Sequence, residues 1–226
     1  MLNHIKQSLK KIIYPLTVKF GRGSKKAYLY LAKDIPGWVT TEELAQKWDY
    51  SFNLPDEPVI VEIGAFLGRS TVVTAGSRRL KRSGIVHVID PFDASGDEFS
   101  VPVYKEIESK LSLNLFEQFE VNIQDAGLND YVMVHKGYDN TIVCDWNEEI
   151  DMLVLDGDQS PTGARRAYEE WIPFLKTGGI LIVHNSADRV YEKDHDGHRR
   201  VVVESVKVPA FDQVKCVRMT TFAVKK

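Results

Sequence analysis

Residues 58–71 constrain the fold of this chain more than any other stretch. They read Pro-Val-Ile-Val-Glu-Ile-Gly-Ala-Phe-Leu-Gly-Arg-Ser-Thr, an apolar run followed by a glycine-bearing turn and a helix start. The apolar run predicts a buried β-strand over residues 59–63, and Gly64 and Gly68 allow the backbone to approach a ligand closely. Ser70 or Thr71 can cap the following helix, whose free N–H groups suit a polar ligand. The segment therefore predicts a nucleotide pocket.

A carboxylate ends the next apolar run, which reads Ile-Val-His-Val-Ile-Asp at residues 85–90. An acid at the end of the second strand of a βαβ unit is placed to accept both ribose hydroxyls of a bound adenosine. Asp90 is therefore a candidate ribose ligand. The dinucleotide fingerprint requires G-x-G-x-x-G, whereas this chain has two glycines, Gly64 and Gly68, with Glu62 before the first. This spacing argues against NAD.

The glycine motif and the acid of the second strand together resemble those of the class I S-adenosylmethionine (SAM) dependent methyltransferases. That family carries E-x-G-x-x-x-G after its first strand and a ribose-binding acid at the end of its second, and this chain matches both. The resemblance implies SAM as the cofactor and an α/β fold, a Rossmann-like doubly wound seven-stranded sheet that is mostly parallel with a reversed C-terminal hairpin strand. The cofactor-binding residues that it implies are Glu62, Gly64, Gly68, Ser70, Asp90, Tyr138, Asp139 and Asp156.

A second strand–helix–strand unit narrows the resemblance. Residues 150–161 read Ile-Asp-Met-Leu-Val-Leu-Asp-Gly-Asp-Gln-Ser-Pro, and residues 176–185 read Lys-Thr-Gly-Gly-Ile-Leu-Ile-Val-His-Asn. These blocks are similar to a branch with small-molecule and sugar O-methyltransferases and cephalosporin-hydroxylase-like proteins, whose fourth strand ends in D-G-D-H and whose fifth ends in H-D. In this chain Gln159 replaces the histidine and Asn185 replaces the last aspartate. The resemblance covers residues 36–226.

Methyl transfer needs few catalytic groups, because SAM already carries the electrophile and the protein mainly holds the acceptor in line and helps to remove its proton. Asp156, Asp158 and His184 are the candidate catalytic residues, since they follow neighbouring strands near the expected methyl position. The glutamine at the D-G-D-H position cannot act as a base. The proton therefore goes to His184 or Asp158, or to a histidine of the loop beyond, unless the acceptor is already nucleophilic. The loop histidines are His195 and His198.

A metal site is a further hypothesis. The resemblance extends to metal-dependent O-methyltransferases of the catechol and caffeoyl-CoA kind, which bind magnesium through an aspartate after the fourth strand and an Asp-Asn pair after the fifth. Asp156, His184 and Asn185 fall at comparable places. Histidine suits zinc or manganese better than magnesium, so Mg, Mn or Zn are the candidate ions. In the alternative without a metal, Asp156 and Asn185 satisfy backbone groups and His184 is a polar pocket residue.

Length and charge set further limits. With 226 residues and 43% hydrophobic residues, the chain suits one α/β domain with an N-terminal extension. A formal net charge of −3 gives no global field for capturing nucleic acid, so we expect no nucleic-acid partner. Cys144 and Cys216 show no metal-ligand spacing, and reduced thiols in a cytoplasmic protein are the simplest interpretation.

The predicted extension, residues 1–35, is basic and amphipathic. Its first 33 residues carry lysines and arginines but no acid, interleaved with aliphatic residues, and Pro15 interrupts the most apolar part. It lacks the long apolar core of a secretory signal or membrane span. Three interpretations stay open: an arm that packs on the domain or forms a homodimer, weak contact with an anionic surface, or disorder. The methyltransferase domain is predicted over residues 36–226.

Three further features lie near the motifs: Trp38, a basic cluster and a segment rich in glycine and charge. Trp38 is either a lid over the cofactor or a buried core residue. The basic cluster within residues 78–82 is interpreted as the solvated end of a helix, where cations complement the helix dipole. Glycines and charges within residues 93–98 predict a mobile flap.

The order of strands and helices supports a parallel sheet with right-handed crossovers. Strands are predicted at residues 59–63, 85–90, 131–135, 151–156, 179–184, 213–217 and 220–224, and helices at 41–51, 70–82, 103–126, 162–175 and 199–206.

The leading hypothesis is a cytoplasmic SAM-dependent O-methyltransferase that acts on a small hydroxylated acceptor, such as a sugar or a natural-product intermediate. The rival hypothesis is a non-catalytic SAM-binding or scaffold protein, which the changes at Gln159 and Asn185 suggest. An NAD-linked reductase fits less well, because the required glycine pattern is absent.

Overall fold

Apolar strands alternate with helices along the chain, and together they form a three-layered α/β domain. The computed structural model describes residues 13–18 and 23–226. The helices that position the site are α1 Lys25–Asp34, α2 Thr41–Asn53, α3 Arg69–Lys81, α4 Val101–Glu108, α5 Leu115–Asp125, α6 Asp139–Ile142, α7 Pro161–Trp171 and α8 Gly197–Ser205. The strands are β1 Val59–Ile63, β2 Ile85–Asp90, β3 Val132–Lys136, β4 Ile150–Leu155, β5 Leu175–Val183, β6 Phe211–Val217 and β7 Thr220–Lys225.

The seven strands form one sheet in the order β3-β2-β1-β4-β5-β7-β6. Strands β1 to β5 run parallel to one another, whereas β7 runs antiparallel to β5 and to β6. The predicted fold class, with its reversed C-terminal hairpin strand, is therefore confirmed. Strand order reverses between β1 and β4, and ligands of such sheets bind beyond the strand ends at that switch point.

Burial on both faces explains the sequences of the central strands. All six residues of β4 are buried, and four of the five residues of β1 are buried. Helices cover both faces of a parallel sheet, so its strands are continuous apolar runs rather than alternating ones. The two exceptions within these strands are Glu62 and Asp151, which are both buried acids. Each has partners in the structure, and Glu62 lies beneath the predicted pocket.

The predicted helix over residues 103–126 is two helices, α4 and α5. Asn114 is the N-cap of α5, since its side chain accepts a hydrogen bond from the backbone N–H of Glu117 at 3.0 Å. The Glu117 carboxylate in turn accepts from the N–H of Asn114, which completes a capping box. The single-helix prediction was wrong because this start signal, Asn-x-x-Glu, lies inside the helical pattern.

Part of the predicted N-terminal extension belongs to the domain. Helix α1 buries Ala27, Tyr28 and Ala32 in the main hydrophobic core. The ring of Tyr28 packs on Gly76 of α3, where an added Cβ would lie 2.5 Å from the ring. The boundary predicted after residue 35 therefore does not separate an arm from a core. The hypotheses of a dimer and of contact with an anionic surface rest mainly on the basic residues within 1–12 and 19–22, which lie outside the described residues.

The basic cluster at the end of α3 is not simply a solvated surface. Arg78 is completely buried and donates to the carbonyl oxygens of Ser83 and Ser51, at 2.7 and 2.5 Å. Arg79 donates to the hydroxyl of Tyr28 and to the carbonyl oxygen of Ala126. Both side chains hold neighbouring segments to the end of α3, so the surface interpretation is corrected for them.

Within the ranges 13–18 and 23–226, none of the helices combines the length and the apolar character that a membrane crossing requires.

Candidate functional site

A crevice lies at the carboxyl ends of β1, β2 and β4, where the switch point predicts a ligand site. Most of the predicted site residues line it, together with side chains from the loops that follow these strands. The lining residues used below are Trp38, Gly64, Phe66, Ser70, Asp90, Asp93, Phe99, Val103, Tyr104, Tyr138, Asp139, Asp156, Gln159, His184, Asn185 and His195.

Gly64 forms the floor of the turn after β1. Its φ is +83°, and its N–H donates to the carbonyl oxygen of Ile89 at 2.9 Å. An added Cβ at this position would lie 2.4 Å from the backbone oxygen of Asp156. The turn can therefore pass this close to β4 only with glycine, which explains the first glycine of the motif. Gly68 is the N-cap of α3 with φ +85°, and it lies against the ring of Phe119 rather than in the crevice.

Asp90 ties the turn after β1 to the end of β2. One carboxylate oxygen accepts from the N–H groups of Ala65 and Phe66, at 2.8 and 2.9 Å, and the other accepts from the N–H of Phe92 at 2.7 Å. Burial raises the pKa of this carboxyl group, and the three N–H groups oppose that rise. Asp90 lines the crevice, as the ribose prediction requires, and it also shapes the glycine turn.

Glu62 lies beneath the turn rather than in the crevice. Its side chain is 1% exposed. Its carboxylate accepts from the hydroxyl groups of Ser70 and Thr71 and pairs with the ammonium group of Lys47 at 3.3 Å. Ser70 lines the crevice but donates its hydroxyl to Glu62. The two residues were predicted to bind the cofactor, and the structure gives Glu62 a position that supports the start of α3.

Tyr138 and Asp139 follow β3 and line the crevice at the predicted adenine side. The Tyr138 hydroxyl donates to a carboxylate oxygen of Asp93 at 2.6 Å, which joins the loops after β2 and β3. Asp139 begins the short helix α6 and pairs with Arg166 of α7 at 3.1 Å. The loop after β3 thus presents a half-exposed aromatic ring to the crevice.

Asp156 and His184 lie together beyond β4 and β5, as predicted. Burial raises the pKa of Asp156 well above its ordinary value, with Lys47 opposing and Glu62 adding to the rise. His184 has its Nδ1 3.0 Å from the Thr220 hydroxyl and 3.8 Å from Glu43. Burial lowers the pKa of His184 to about 3, so the ring is neutral at physiological pH.

Asp158 does not reach the crevice. Its carboxylate accepts from the backbone N–H of Ser160 at 2.9 Å and packs against Gly163 at the start of α7. An aspartate that precedes a helix commonly makes such a turn with its own chain. The predicted catalytic role of Asp158 is therefore corrected to a structural one at the helix start.

The two residues that depart from the family pattern are bonded to each other. The side-chain amide of Asn185 donates to the side-chain oxygen of Gln159 at 2.7 Å. The same amide nitrogen lies 3.5 Å from Nε2 of His195, which comes from the loop before α8. The other ring nitrogen of His195 lies 3.0 Å from a carboxylate oxygen of Asp97. Sequence reasoning missed Asp97, whose position among glycines and charges indicated only a flap.

A metal site gains no support from this arrangement. Asn185 uses its amide for Gln159, and His184 directs Nδ1 to Thr220. In the part of the chain that the structure describes, no group of three or more His, Cys, Asp or Glu side chains could hold a metal ion. The residues predicted as ligands, Asp156, His184 and Asn185, therefore do not form a recognisable metal-binding set.

Aromatic side chains form one wall of the crevice. Trp38, Phe66 and Tyr104 pack on one another with ring centroids 5.2 to 5.4 Å apart. Trp38 is 48% exposed, which excludes the core interpretation and supports the interpretation as a cover of the crevice. Tyr104 comes from α4, so the segment predicted as a flap ends in a helix that joins this wall.

The buried ring of His198 predicts a pH dependence of stability. Burial lowers its pKa to about 4, with Asp158 and Asp97 opposing and His195 adding to the decrease. The unfolded chain binds a proton near pH 6.5 and the folded chain does not, so stability is present above about pH 6.5 and falls as the pH decreases towards about 4. We expect His198→Gln to remove about 1.4 kcal/mol of this dependence per pH unit. Urea unfolding of both proteins across this range measures it. Equal slopes of the free energy of unfolding against pH in the two proteins would contradict it. Above about pH 7.5 the difference between their free energies of unfolding should be constant, which is the internal control.

Comparison with known proteins agrees with this architecture. A family model described as a methyltransferase domain matches residues 61–186, which is more than half of the chain. Cofactor-bound Rv0187 from MTB has a similar structure with a TM-score of 0.63, at 17% identity over 88% of each chain. The O-methyltransferase NovP gives a TM-score of 0.60 at 15% identity, over 94% of this chain and 88% of NovP.

A third similar structure is the SAH-bound methyltransferase PaMTH1 from Podospora anserina, where SAH denotes S-adenosylhomocysteine. Its TM-score is 0.54 at 14% identity, over 89% of this chain and 87% of PaMTH1. At such identities the likeness to solved structures shows the shared fold, whereas the family match covers the glycine turn, Asp90 and Asp156 together. The chain therefore belongs to the methyltransferase domain family, as its glycine motif and second-strand acid predicted.

Proposed function

We propose that this protein is a SAM-dependent O-methyltransferase whose acceptor is a small hydroxylated molecule with an apolar or aromatic ring. The observation that carries the proposal is the turn at Gly64, which has no room for a Cβ and opens into the crevice beside Asp90. A glycine backbone that lines the crevice at the switch point suits the sugar and the polar tail of a nucleoside cofactor. The cofactor-bound and SAH-bound states of Rv0187 and PaMTH1, and the name of NovP, support the choice of SAM and of oxygen as the acceptor atom.

The residues present fit such a cofactor. Asp90 would accept the ribose hydroxyls, Tyr138 and Asp139 would lie beside the adenine, and the Gly64 turn would contact the tail. When bound, SAM supplies a methyl group on a sulfonium centre, which is already electrophilic. The work left to the protein is to hold the acceptor in line, to exclude water and to accept a proton. The aromatic wall of Trp38, Phe66 and Tyr104 suits the exclusion of water.

The exposed side chains at the rim of the crevice indicate the class of acceptor. Phe99, Val103 and Trp38 are large apolar residues that line the crevice while 48%, 37% and 48% exposed. Exposed apolar groups that converge on a crevice favour a ligand with an apolar surface. A phenolic or other ring-bearing natural-product intermediate fits this rim better than a bare sugar does. A cytoplasmic location remains part of the proposal, since both cysteines are free and exposed.

Replacement of Asp90 tests the cofactor site. We expect Asp90→Ala to weaken SAH binding by about 10- to 100-fold, because hydrogen bonds from a ligand to this half-buried carboxyl group are lost together with the shape of the turn. Isothermal titration calorimetry with SAH measures the change, and Asp130→Ala is the control, because Asp130 is an exposed acid in the turn before β3 and does not line the crevice. Unchanged affinity in Asp90→Ala would contradict the ribose assignment.

A non-catalytic SAM-binding protein is the second candidate, because the amide pair of Gln159 and Asn185 replaces two ionisable residues of the family pattern. Incubation with methyl-labelled SAM and a panel of phenols, catechols and sugars separates the two candidates. The panel is run with EDTA and with added Mg²⁺, Mn²⁺ or Zn²⁺, which also tests the metal hypothesis. Tight SAH binding without label transfer under any of these conditions would favour the second candidate.

A further inference from the structure

We propose that His195 is the general base of this site and that Asp97 is its positioning residue, an inference that rests on the proposed methyl transfer. His195 lies in the loop between β5 and α8, and Asp97 lies in the loop between β2 and α4. The two residues are 98 positions apart in the sequence, and their contact joins these loops across the crevice. His195 also lines the crevice.

The contacts of Asp97 determine which nitrogen of His195 carries the proton. One oxygen of Asp97 accepts from the backbone N–H groups of Phe99 and Ser100, at 3.2 and 3.1 Å, and lies 3.0 Å from Nδ1 of His195. Burial opposes ionisation, but the hydrogen bonds from His195 and Ser100 keep the pKa of Asp97 below its ordinary value. An ionised carboxylate only accepts hydrogen bonds, so Nδ1 of His195 is the donor.

The tautomer set by Asp97 leaves Nε2 of His195 with a free lone pair. A neutral imidazole has one donor and one acceptor nitrogen, so a proton on Nδ1 makes Nε2 the acceptor. The neighbour of Nε2 agrees with this assignment, because it is the amide nitrogen of Asn185, a donor, at 3.5 Å. A hydroxyl group of the acceptor can take the place of this long contact. An aspartate that holds a histidine with one nitrogen free is the general arrangement of an oriented base.

Gln159 and Asn185, the two residues that depart from the family pattern, act together as a hydrogen-bonded amide pair. Gln159 accepts from Asn185 at 2.7 Å, which holds the Asn185 amide beside His195. A histidine at position 159 and an aspartate at position 185 would instead place ionisable groups at this spot. The change to two amides removes those charges and leaves a histidine from the loop beyond as the proton acceptor.

His184 is less suited to the same role. Its Nδ1 is directed to Thr220 and Glu43 at the back of the crevice, and its ring is 3% exposed. A base that must be protonated during the reaction works best when its pKa lies near the working pH, and burial lowers the pKa of His184 to about 3. His184 therefore fits the role of a neutral wall residue.

Aromatic contacts hold the plane of the His195 ring. The ring of Phe99 lies 4.7 Å from it and the ring of Tyr191 lies 6.2 Å from it, measured between centroids. The titratable groups that face His195 are Asp97, His184, His198 and Tyr191. Because Phe99 also belongs to the exposed apolar rim, an acceptor ring that packs on Phe99 would bring its hydroxyl close to His195.

The proposed step is balanced. Nε2 of His195 takes the proton of the acceptor hydroxyl as the acceptor oxygen forms its bond to the methyl carbon. The bond between that carbon and sulfur breaks, and its electron pair stays on sulfur, which loses its positive charge. The imidazolium then releases the proton to solvent, and the Asp97 carboxylate stabilises the charged ring in the interval.

The tautomer of His195 tests the proposal without any acceptor. Protein labelled with ¹⁵N-histidine is examined at about pH 8 by long-range ¹H–¹⁵N correlation, and His195→Gln assigns the signals. We expect the Nδ1–H tautomer in the wild type and the Nε2–H tautomer in Asp97→Asn, because the asparagine amide can donate to Nδ1. An Nε2–H tautomer in the wild type, or no change in Asp97→Asn, would overturn the proposal.

Methyl transfer to phenol, 4-nitrocatechol and caffeic acid provides the second measurement. We expect His195→Gln to lower kcat by about 10²- to 10⁴-fold while SAH affinity stays within about twofold. His135→Gln on β3, a residue that does not line the crevice, is expected to keep wild-type kcat. Wild-type kcat in His195→Gln would also overturn the proposal. Failure of the wild type to bind SAH would instead contradict the proposed function. No transfer to the three phenols would contradict the acceptor class, and the tautomer measurement then decides the assignment of His195.

Discussion

Gly64→Ala is expected to eliminate measurable SAH binding and to destabilise the fold by about 2–6 kcal/mol. Two effects add at this position. The backbone has φ +83°, which costs a residue with a side chain about 1–3 kcal/mol. The new Cβ would also lie 2.4 Å from the carbonyl oxygen of Asp156, and a backbone atom in the central sheet cannot move away without shifting β4. The turn and the crevice floor must therefore change shape.

Gly178→Ala is the matched control for the Gly64 variant. Gly178 has φ +79°, and an added Cβ there would meet nothing within 4 Å. The control therefore carries the backbone cost of about 1–3 kcal/mol without the steric overlap, and we expect normal SAH affinity. Urea unfolding gives the two stabilities and calorimetry gives the two affinities. If both variants lose the same stability and both bind SAH normally, then contact between the turn and β4 does not shape the site.

Lys47→Met is expected to destabilise the protein by about 3–5 kcal/mol, a large fraction of the stability of an ordinary domain. The Lys47 ammonium group is 1% exposed and pairs with Glu62 at 3.3 Å. The charge of Lys47 also acts on Asp156, and Glu43 is a buried acid one turn earlier on α2. Removing the cation leaves a buried carboxylate without its counter-charge, which costs far more than the pair itself contributes.

Lys110→Met provides the comparison for the buried lysine. Lys110 pairs with Glu106 at 2.6 Å, a shorter distance than in the buried pair, but both side chains are about two-thirds exposed. We expect little or no loss of stability there, because water screens the pair. Urea unfolding again measures both. A second change, Glu62→Gln in the Lys47→Met background, is expected to recover part of the loss, since it removes the uncompensated charge. A Lys47→Met cost as small as that of Lys110→Met would show that Glu62 does not depend on its partner.

The strand, the glycine turn and the acid of the second strand could be predicted because each depends on local chemistry. Four apolar residues in a run of five, with side chains on both faces, specify β1, and a positive φ specifies Gly64. Strands β1 and β2 have the predicted bounds. The break before α5 was also a local signal, the Asn114 capping box, but the long helical pattern concealed it.

Side-chain direction and long-range pairing were beyond such local reasoning. Asp156 and Asp158 are two positions apart after the same strand, yet one faces the crevice and the other turns to the start of α7. The contact between Asp97 and His195 depends on how two loops fold over the sheet, and neither loop shows a periodic pattern. For the same reason, the ion pair between Lys47 and Glu62 could not be read from a helix and a strand considered separately.

Glu43 links the two ends of the domain. One carboxylate oxygen accepts from the backbone and hydroxyl of Thr40, and the other accepts from the N–H of Met219 and the hydroxyl of Thr220 in the C-terminal hairpin. All of these residues lie outside the segment 61–186 that the family shares. Consider a chimera in which only the segment before or only the segment after residues 61–186 comes from a relative. The buried carboxylate of Glu43 would then lose half of its hydrogen-bond donors. The segments before and after the shared domain can therefore be exchanged only as a pair.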